Sequence, residues 1–290
     1  MVLITASAST FRPHDDDVRA ALGELGLTTA FMFAVFTLVR WGMATAGAEA
    51  TALDLRIRCA VVSMTVGLII VAFAVSRLGR WTGAHMNPAI TLALFVHGRT
   101  PARRVLPYLA AQTAGSVVAA ALARLAWGTA MSDAPARWAV VQPAAGWDST
   151  AVAFAEAAVL GVIVTVMCWV LDHRPGWPLP WIVGLMFGLQ GAVFGTVTGG
   201  SANPARQLGP ALFSGQTHLL VVYLAAPVVG GVAAAWAIRW SDQSAVRIVT
   251  VDPLFHGLAS LSVEPAALAP LTSRSRVPLE TAAGRRKANV

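Results

Sequence analysis

Charge is scarce in this sequence. Only 12% of its 290 residues are Asp, Glu, Lys or Arg, and 56% are hydrophobic. A soluble domain carries about twice that charged share. The mean hydropathy of +0.65 points the same way, and together they indicate a bilayer composition rather than a large soluble core. The formal net charge is +7, but the arginines gather at the ends of apolar runs. That pattern suits lipid headgroups and membrane topology, so membrane lipid is an expected partner and nucleic acid is not. Cysteine is nearly absent. Cys59 and Cys168 fall in different apolar runs, which excludes a disulfide framework and offers no metal-ligand spacing. Both read as buried thiols. No nucleophile–base pair stands out, so an enzyme is not expected, nor is a cofactor or metal. The N-terminal segment also makes a poor cleavable leader, and none is expected. The first apolar run follows Arg12 and Asp15–Asp17, is long and opens with Glu24, which reads as a first spanning helix.

What the sequence has in quantity is long apolar runs. Six segments reach the roughly 20 residues that a spanning helix needs: about 20–39, 57–78, 105–125, 151–171, 179–197 and 218–240. Two further stretches, 87–96 and 203–213, are apolar but too short to span. Each opens with Asn-Pro-Ala and lies between two full spans. With both termini on the cytoplasmic side, that side receives Arg12, Arg19, Arg77, Arg80, Arg99, Arg103, Arg104, Arg174 and the basic residues from Arg239 onward. The other side receives Arg40, Arg56, Arg58, Arg124 and Arg137. The expectation is a multi-pass protein of the plasma or inner membrane with both ends inside. Trp41, Trp81, Trp127, Trp177 and Trp240 lie near span ends, as an interfacial belt requires. Residues 1–18 read as a cytoplasmic segment, 19–240 as the membrane domain and 241–290 as a disordered cytoplasmic tail with scattered prolines.

The membrane domain repeats itself. Each half, about 19–127 and 151–240, has a span carrying one glutamate (Glu24, Glu156), a second span, a short Asn-Pro-Ala segment and a third span. Three spans per half oblige the second half to enter from the opposite face. The expected fold class is therefore an all-α membrane protein of six transmembrane helices with two re-entrant half-helices in an inverted 3+3 repeat.

Asn is a strong N-cap and Pro is favoured at the first helical position. Asn87-Pro88-Ala89 and Asn203-Pro204-Ala205 are therefore helix starts. A helix start at membrane depth needs a cavity to line. Two of them meeting there bring two positive dipole ends together. Each Asn side chain would be held by its own helix and leave its amide free to donate to a passing oxygen. Such a centre suits a neutral permeant with lone pairs, repels cations and interrupts a proton-conducting water chain. Arg206 lies one turn beyond Asn203 on the same face, and a membrane-buried Arg marks function. Glu24 and Glu156, repeated in both halves, read as acceptors for the irregular backbone beside each short helix. His85 is either a pH-sensitive group at the inner mouth or a packing residue.

The stretches Gly83-Ala84-His85-Met86-Asn87-Pro88-Ala89-Ile90-Thr91 and Gly200-Ser201-Ala202-Asn203-Pro204-Ala205-Arg206 resemble the paired signatures of the major intrinsic protein family, the aquaporins and aquaglyceroporins. The resemblance covers about residues 20–240 and includes Glu24, Glu156, Gln112 and Pro227. It implies a right-handed six-helix bundle with two half-helices, a homotetramer with one pore per protomer, and passive conduction of water and small uncharged solutes. It makes Arg206 the arginine of the outer constriction. Counting back from Asn203, the fifth-helix position of that constriction falls on Gly191 and the loop position on Gly200; the second-helix position is Gly67 by an ungapped count and Met64 by a gapped one. Strict water channels of the family carry an aromatic residue and a His there. Their absence predicts a wide filter, open to glycerol, urea, boric acid or arsenous acid, as in metalloid facilitators. Gln207 and Ala211 depart from the glycerol-facilitator pattern, which has Asp and a basic residue. Gly184, Gly188, Gly191 and Gly195 form one bare helical face, for packing or for the pore. An ion-coupled secondary transporter is the competing reading, and it requires a coupling-ion site near the midplane.

Overall fold

The computed structural model of the chain describes residues 13–44, 52–134 and 136–250. It divides into two units, Met1–Ala245 and Val246–Val290. The helices as far as Ala245 belong to the first. Most of the tail expected beyond 240 lies outside the described residues, although the last helix continues to Thr250.

The described residues are helical, with no strand among them. In chain order the helices are α1 (Pro13–Ala44), α2 (Ala52–Val75), α3 (Arg77–Thr82), α4 (Pro88–His97), α5 (Ala102–Trp127), α6 (Ser149–His173), α7 (Leu179–Phe194), α8 (Pro204–Ser214) and α9 (Leu220–Thr250). Two 3-10 turns, Gly128–Met131 and Arg137–Ala139, lie between α5 and α6. Among these, α1, α2, α5, α6 and α9 are long and apolar enough to cross a bilayer. The remaining apolar segment, α7, has 16 residues, about 24 Å of helix. Residues 195–197 of the segment expected to span leave the helix for a turn, in which Val197 and Thr198 both donate to the Phe194 carbonyl at 2.9 Å. The turn at Gly195–Gly200 carries the chain directly into the second short helix. The N-terminal boundary also moves, since α1 starts at Pro13, ahead of the expected span. Proline suits a helix's first turn, and Asp17 ties that turn to α5 through Arg103 (2.5 Å) and Arg104 (2.7 Å).

The two halves are built alike. In the first, α1 packs along α5; in the second, α6 packs along α9; α2 and α7 meet across the middle. Solvation is that of a bilayer protein. Leu106, Leu125, Phe154 and Val221 face outward, each at least 75% exposed, whereas Glu24, Gln112, Glu156 and Gln207 are buried. The driving force between spans in lipid is close packing of small residues. At the α6–α9 crossing, a methyl group on Gly230 would overlap the Ala157 carbonyl. Gly230→Ala should therefore force the helices apart and cost about 1–3 kcal/mol. Gly26→Ala, with open space beside it, is the matched control. Thermal midpoints in detergent test this, and equal midpoints for the two variants would refute the close-contact account.

Candidate functional site

The two short helices start identically. Asn87 (φ −151°, ψ 116°) caps α4, its Oδ1 accepting from Ala89 N at 2.9 Å. Asn203 (φ −155°, ψ 114°) caps α8 and accepts from Ala205 N at 2.9 Å. Pro88 and Pro204 follow at the first helical positions. The amides are not wholly free, however. Asn87 Nδ2 donates to the Ala202 carbonyl and Asn203 Nδ2 to the Met86 carbonyl, both at 3.0 Å. Each asparagine thus caps its own half-helix and braces the other, spending one amide hydrogen. Each amide keeps a second hydrogen, and both residues line the cavity.

The residues before the asparagines are held in an uncommon conformation. Met86 and Ala202 have φ of +48° and +46°, a region costly for residues with a side chain. Both are clamped from two sides. Their carbonyls accept from the opposite asparagine, and their N–H groups donate to the glutamates: Met86 N to Glu24 Oε2 at 2.7 Å and Ala202 N to Glu156 Oε2 at 2.6 Å. Glu24 Oε1 also accepts from His85 N (3.0 Å), and Glu156 Oε1 from Ser201 N (3.2 Å) and Thr198 Oγ1 (2.9 Å). Gln112 Nε2 donates to Glu24 at 2.9 Å. Two buried tyrosines complete the symmetry: Tyr108 donates to the Thr82 carbonyl at 2.7 Å and Tyr223 to the Thr198 carbonyl at 2.5 Å. They are the chain's only two tyrosines.

A cavity of about 590 Å³ runs past this centre. Its apolar wall includes Phe31 and Val35 of α1, Val66 and Ile70 of α2, Met167 of α6 and Phe187 of α7. The polar groups reaching it include Asn87, Asn203, His85, Ser63, Gln190 and Arg206, and no Asp or Glu is among its described lining residues. His85 has both features considered for it. It lines the cavity, and it is also packed, with Nδ1 3.0 Å from Thr91 Oγ1 and its ring edge-on to Tyr108. At the end nearer His85, Arg99 reaches the cavity and pairs with Asp172 at 2.5 Å.

Arg206 marks the other end. Its guanidinium donates to the Ala139 carbonyl at 2.7 Å. Ala139 belongs to a segment in which Arg137, Trp138 and Ala139 all have positive φ (40°, 56° and 51°). The segment is pinned by Trp138 packing on Phe213 and by Gln207, whose amide accepts from Val141 N (2.9 Å) and donates to Val141 O (3.0 Å). Gln207, noted in the sequence only as a departure from a pattern, therefore holds the loop that holds Arg206.

Gly191 and Gly200 line the cavity with Arg206, but Gly67 and Met64 do not. The α2 wall there is Cys59, Val62 and Ser63. Helix rotation explains this correction. Gly67 turns its bare face onto Gly184 and Gly188, and Met64 packs on Gly188, so this stripe is buried in the α2–α7 seam. The neighbouring stripe, 59, 63, 66 and 70, faces the cavity. The glycine row of α7 accordingly serves both purposes: Gly184 and Gly188 pack, while Gly191 and Gly195 line the cavity. Cys59 and Ser63, polar and four apart in an apolar helix, were the available signal for the second stripe.

These features define a membrane protein with an inverted repeat and a cavity built around two half-helix starts. A family model for the major intrinsic protein matches residues 13–238, and the chain belongs to that family. It is similar to aquaporin NIP1-3 of Oryza sativa subsp. japonica, 37% identical over 201 residues, or 67% of each chain. It is also similar to aquaporin Z of Bradyrhizobium diazoefficiens (32%, covering 65% of this chain and 81% of that one) and to the propanediol uptake facilitator PduF of Citrobacter freundii (30%, covering 55% and 71%). The aligned part spans 67%, 62% and 58% of the length of the three relatives it first matches. The fold is that of the aquaglyceroporin from Plasmodium falciparum, with TM-score 0.65 at 24% identity, covering 80% of this chain and 99% of that one.

Proposed function

We propose that this protein is a passive transmembrane channel for water and small uncharged solutes that excludes ions and protons. The observation that carries the proposal is the meeting of two half-helix N-termini at Asn87 and Asn203 on a cavity with Arg206 at one end. Amide donors and positive dipole ends there favour a neutral oxygen-bearing permeant and oppose cations. A coupled transporter needs a coupling-ion site, and no carboxylate among the described residues lines the cavity to supply one. The termini lie on the cytoplasmic side in this reading, which makes the Arg206 end the outer one.

A second, finer reading is a wide-filter facilitator of glycerol, urea or boric and arsenous acids. Ser63, Gly191 and Gly200 favour it, because three small residues beside Arg206 leave the constriction open. Stopped-flow light scattering on proteoliposomes tests both. An impermeant osmolyte should produce shrinkage at least about tenfold faster than in empty vesicles, given the low barrier of an open pore. Glycerol should then give fast reswelling. Water flux without glycerol entry would remove the second reading and leave the first. No acceleration in the impermeant osmolyte would remove both.

A further inference from the structure

The end of the cavity away from Arg206 carries charge that the channel reading does not use. Its rim includes Arg80 of α3, Arg99 beyond α4, Leu171 of α6 and Pro180 of α7. Two arginines thus reach one opening from separate segments, and no Asp or Glu among the described residues lines the cavity. A basic residue anywhere in the loop would serve topology equally well; these two are fixed at the opening. Arg80 Nη1 donates to the Val75 carbonyl, at the end of α2. Arg99 Nη2 donates to the Leu171 carbonyl, in the last turn of α6, at 3.2 Å and to Asp172 at 2.5 Å. Helix-end carbonyls take such donors readily. Each anchor uses one nitrogen of a guanidinium that offers several donors. Both residues stay exposed, the Arg99 side chain by 47%. The ion pairs among the described residues include Asp172 on Arg99 and none on Arg80.

A cleft lined by one sign of charge, with low-dielectric walls, concentrates ions of the other sign. Guanidinium groups bind phosphate oxygens through paired N–H donors. Further in, the wall is apolar at Ile70, Leu94, Met167 and Phe187. An anion entering there would lose its hydration without a partner, so it stops at the mouth. We propose that Arg80 and Arg99 form a binding site for a phosphate-bearing anion, and that the bound anion obstructs the mouth. The obstruction rests on the channel reading; the binding does not.

The probe is pyrophosphate on both sides of phosphatidylcholine proteoliposomes, against sodium chloride of equal ionic strength and osmolality. The water rate in stopped flow should fall by about half or more, since an occupied mouth passes little water. The half-maximal concentration should rise about tenfold in Arg80→Gln and in Arg99→Gln, the factor for one lost charge-assisted hydrogen bond. The thermal midpoint in detergent reads binding without conduction: pyrophosphate should raise it in wild type and not in these variants. Arg124→Gln makes an equal change of charge at an exposed residue outside the cavity lining and should match wild type. If it matches Arg80→Gln instead, net charge alone is at work and the proposal is overturned. Loss of the effect in Arg137→Gln alone places the site at the other mouth and overturns it too. A second vesicle set containing phosphatidic acid identifies the source. Slowing by pyrophosphate in phosphatidylcholine marks a dissolved anion, and slowing by phosphatidic acid alone, relieved in Arg80→Gln, marks a lipid headgroup on the same arginines. A conducting wild type slowed by neither overturns the proposal. A wild type that passes no water fails the channel reading, a separate result, and the midpoints then decide the site. Where Arg99→Gln does not assemble, because Asp172 has lost its partner, Arg80→Gln decides.

Discussion

Glu156→Leu should abolish assembly of the second half of the protein. The carboxylate accepts from Ala202 N, Ser201 N and Thr198 Oγ1, and leucine would leave all three without a partner. A buried donor stripped of its acceptor costs about 1–3 kcal/mol, so the three together cost about 3–9 kcal/mol by the same measure. That is comparable with the whole stability of a typical domain, about 5–15 kcal/mol. Part of the loss is conformational, because the Ala202 N–H bond also holds a left-handed residue in place. The expected result is a sharp loss of monodisperse protein in detergent size-exclusion chromatography, or a strongly lowered thermal midpoint in what survives. Glu156→Gln keeps one acceptor oxygen and should fall between. Glu24→Leu should behave like Glu156→Leu, since Glu24 accepts from His85 N, Met86 N and Gln112. A Glu156→Leu protein that purified and melted like wild type, but lost a proton-dependent flux, would instead make the glutamate a proton carrier.

Some of this site was legible because its causes are local or repeated. Asn followed by Pro is a helix start by its own chemistry, and α4 and α8 begin at those residues. Glu24 and Glu156 could be paired because they recur at matching places in two halves of one pattern. The cross-bonds from each asparagine to the opposite half could not be foreseen. They depend on how closely Met86 and Ala202 approach, and nothing in either stretch alone encodes that. The α2 wall failed for a different reason. Counting back from Asn87 crosses α3, a helix capped by Ser76 and ended by Gly83. The face that α2 turns to the cavity is then set by the Gly67–Gly184 contact, a tertiary fact. Residues 137–142 have no periodicity to read, so the Gln207 clamp and the Ala139 carbonyl under Arg206 emerged only from the fold.

In the proposed channel, Arg206→Ala should turn a selective constriction into a leaky one. The side chain contributes three things at once: bulk beside Ser63, Gly191 and Gly200, N–H donors fixed by the Ala139 carbonyl, and a positive charge. A unit charge about 4 Å from a passing cation, at the effective dielectric of a partly hydrated site, is worth about 4 kcal/mol. Its removal permits up to roughly a thousandfold gain in cation and proton passage on that ground. Glycerol permeability should rise by about tenfold as the donors and bulk are lost together. Arg206→Lys separates these contributions. It keeps the charge and so the cation barrier, but replaces a fixed planar fork with a flexible point donor, which should loosen solute selection alone. Proteoliposomes holding a pH-sensitive dye, under a potassium diffusion potential, report the proton leak; stopped-flow reswelling reports glycerol. If Arg206→Ala stays proton-tight while glycerol speeds up, the ionic barrier lies with the paired helix starts at Asn87 and Asn203, and Arg206 governs size. If neither quantity moves, the constriction is not at Arg206. Because the half-helix dipoles survive every substitution at this position, the variant isolates the charge at the mouth from the positive field at the centre.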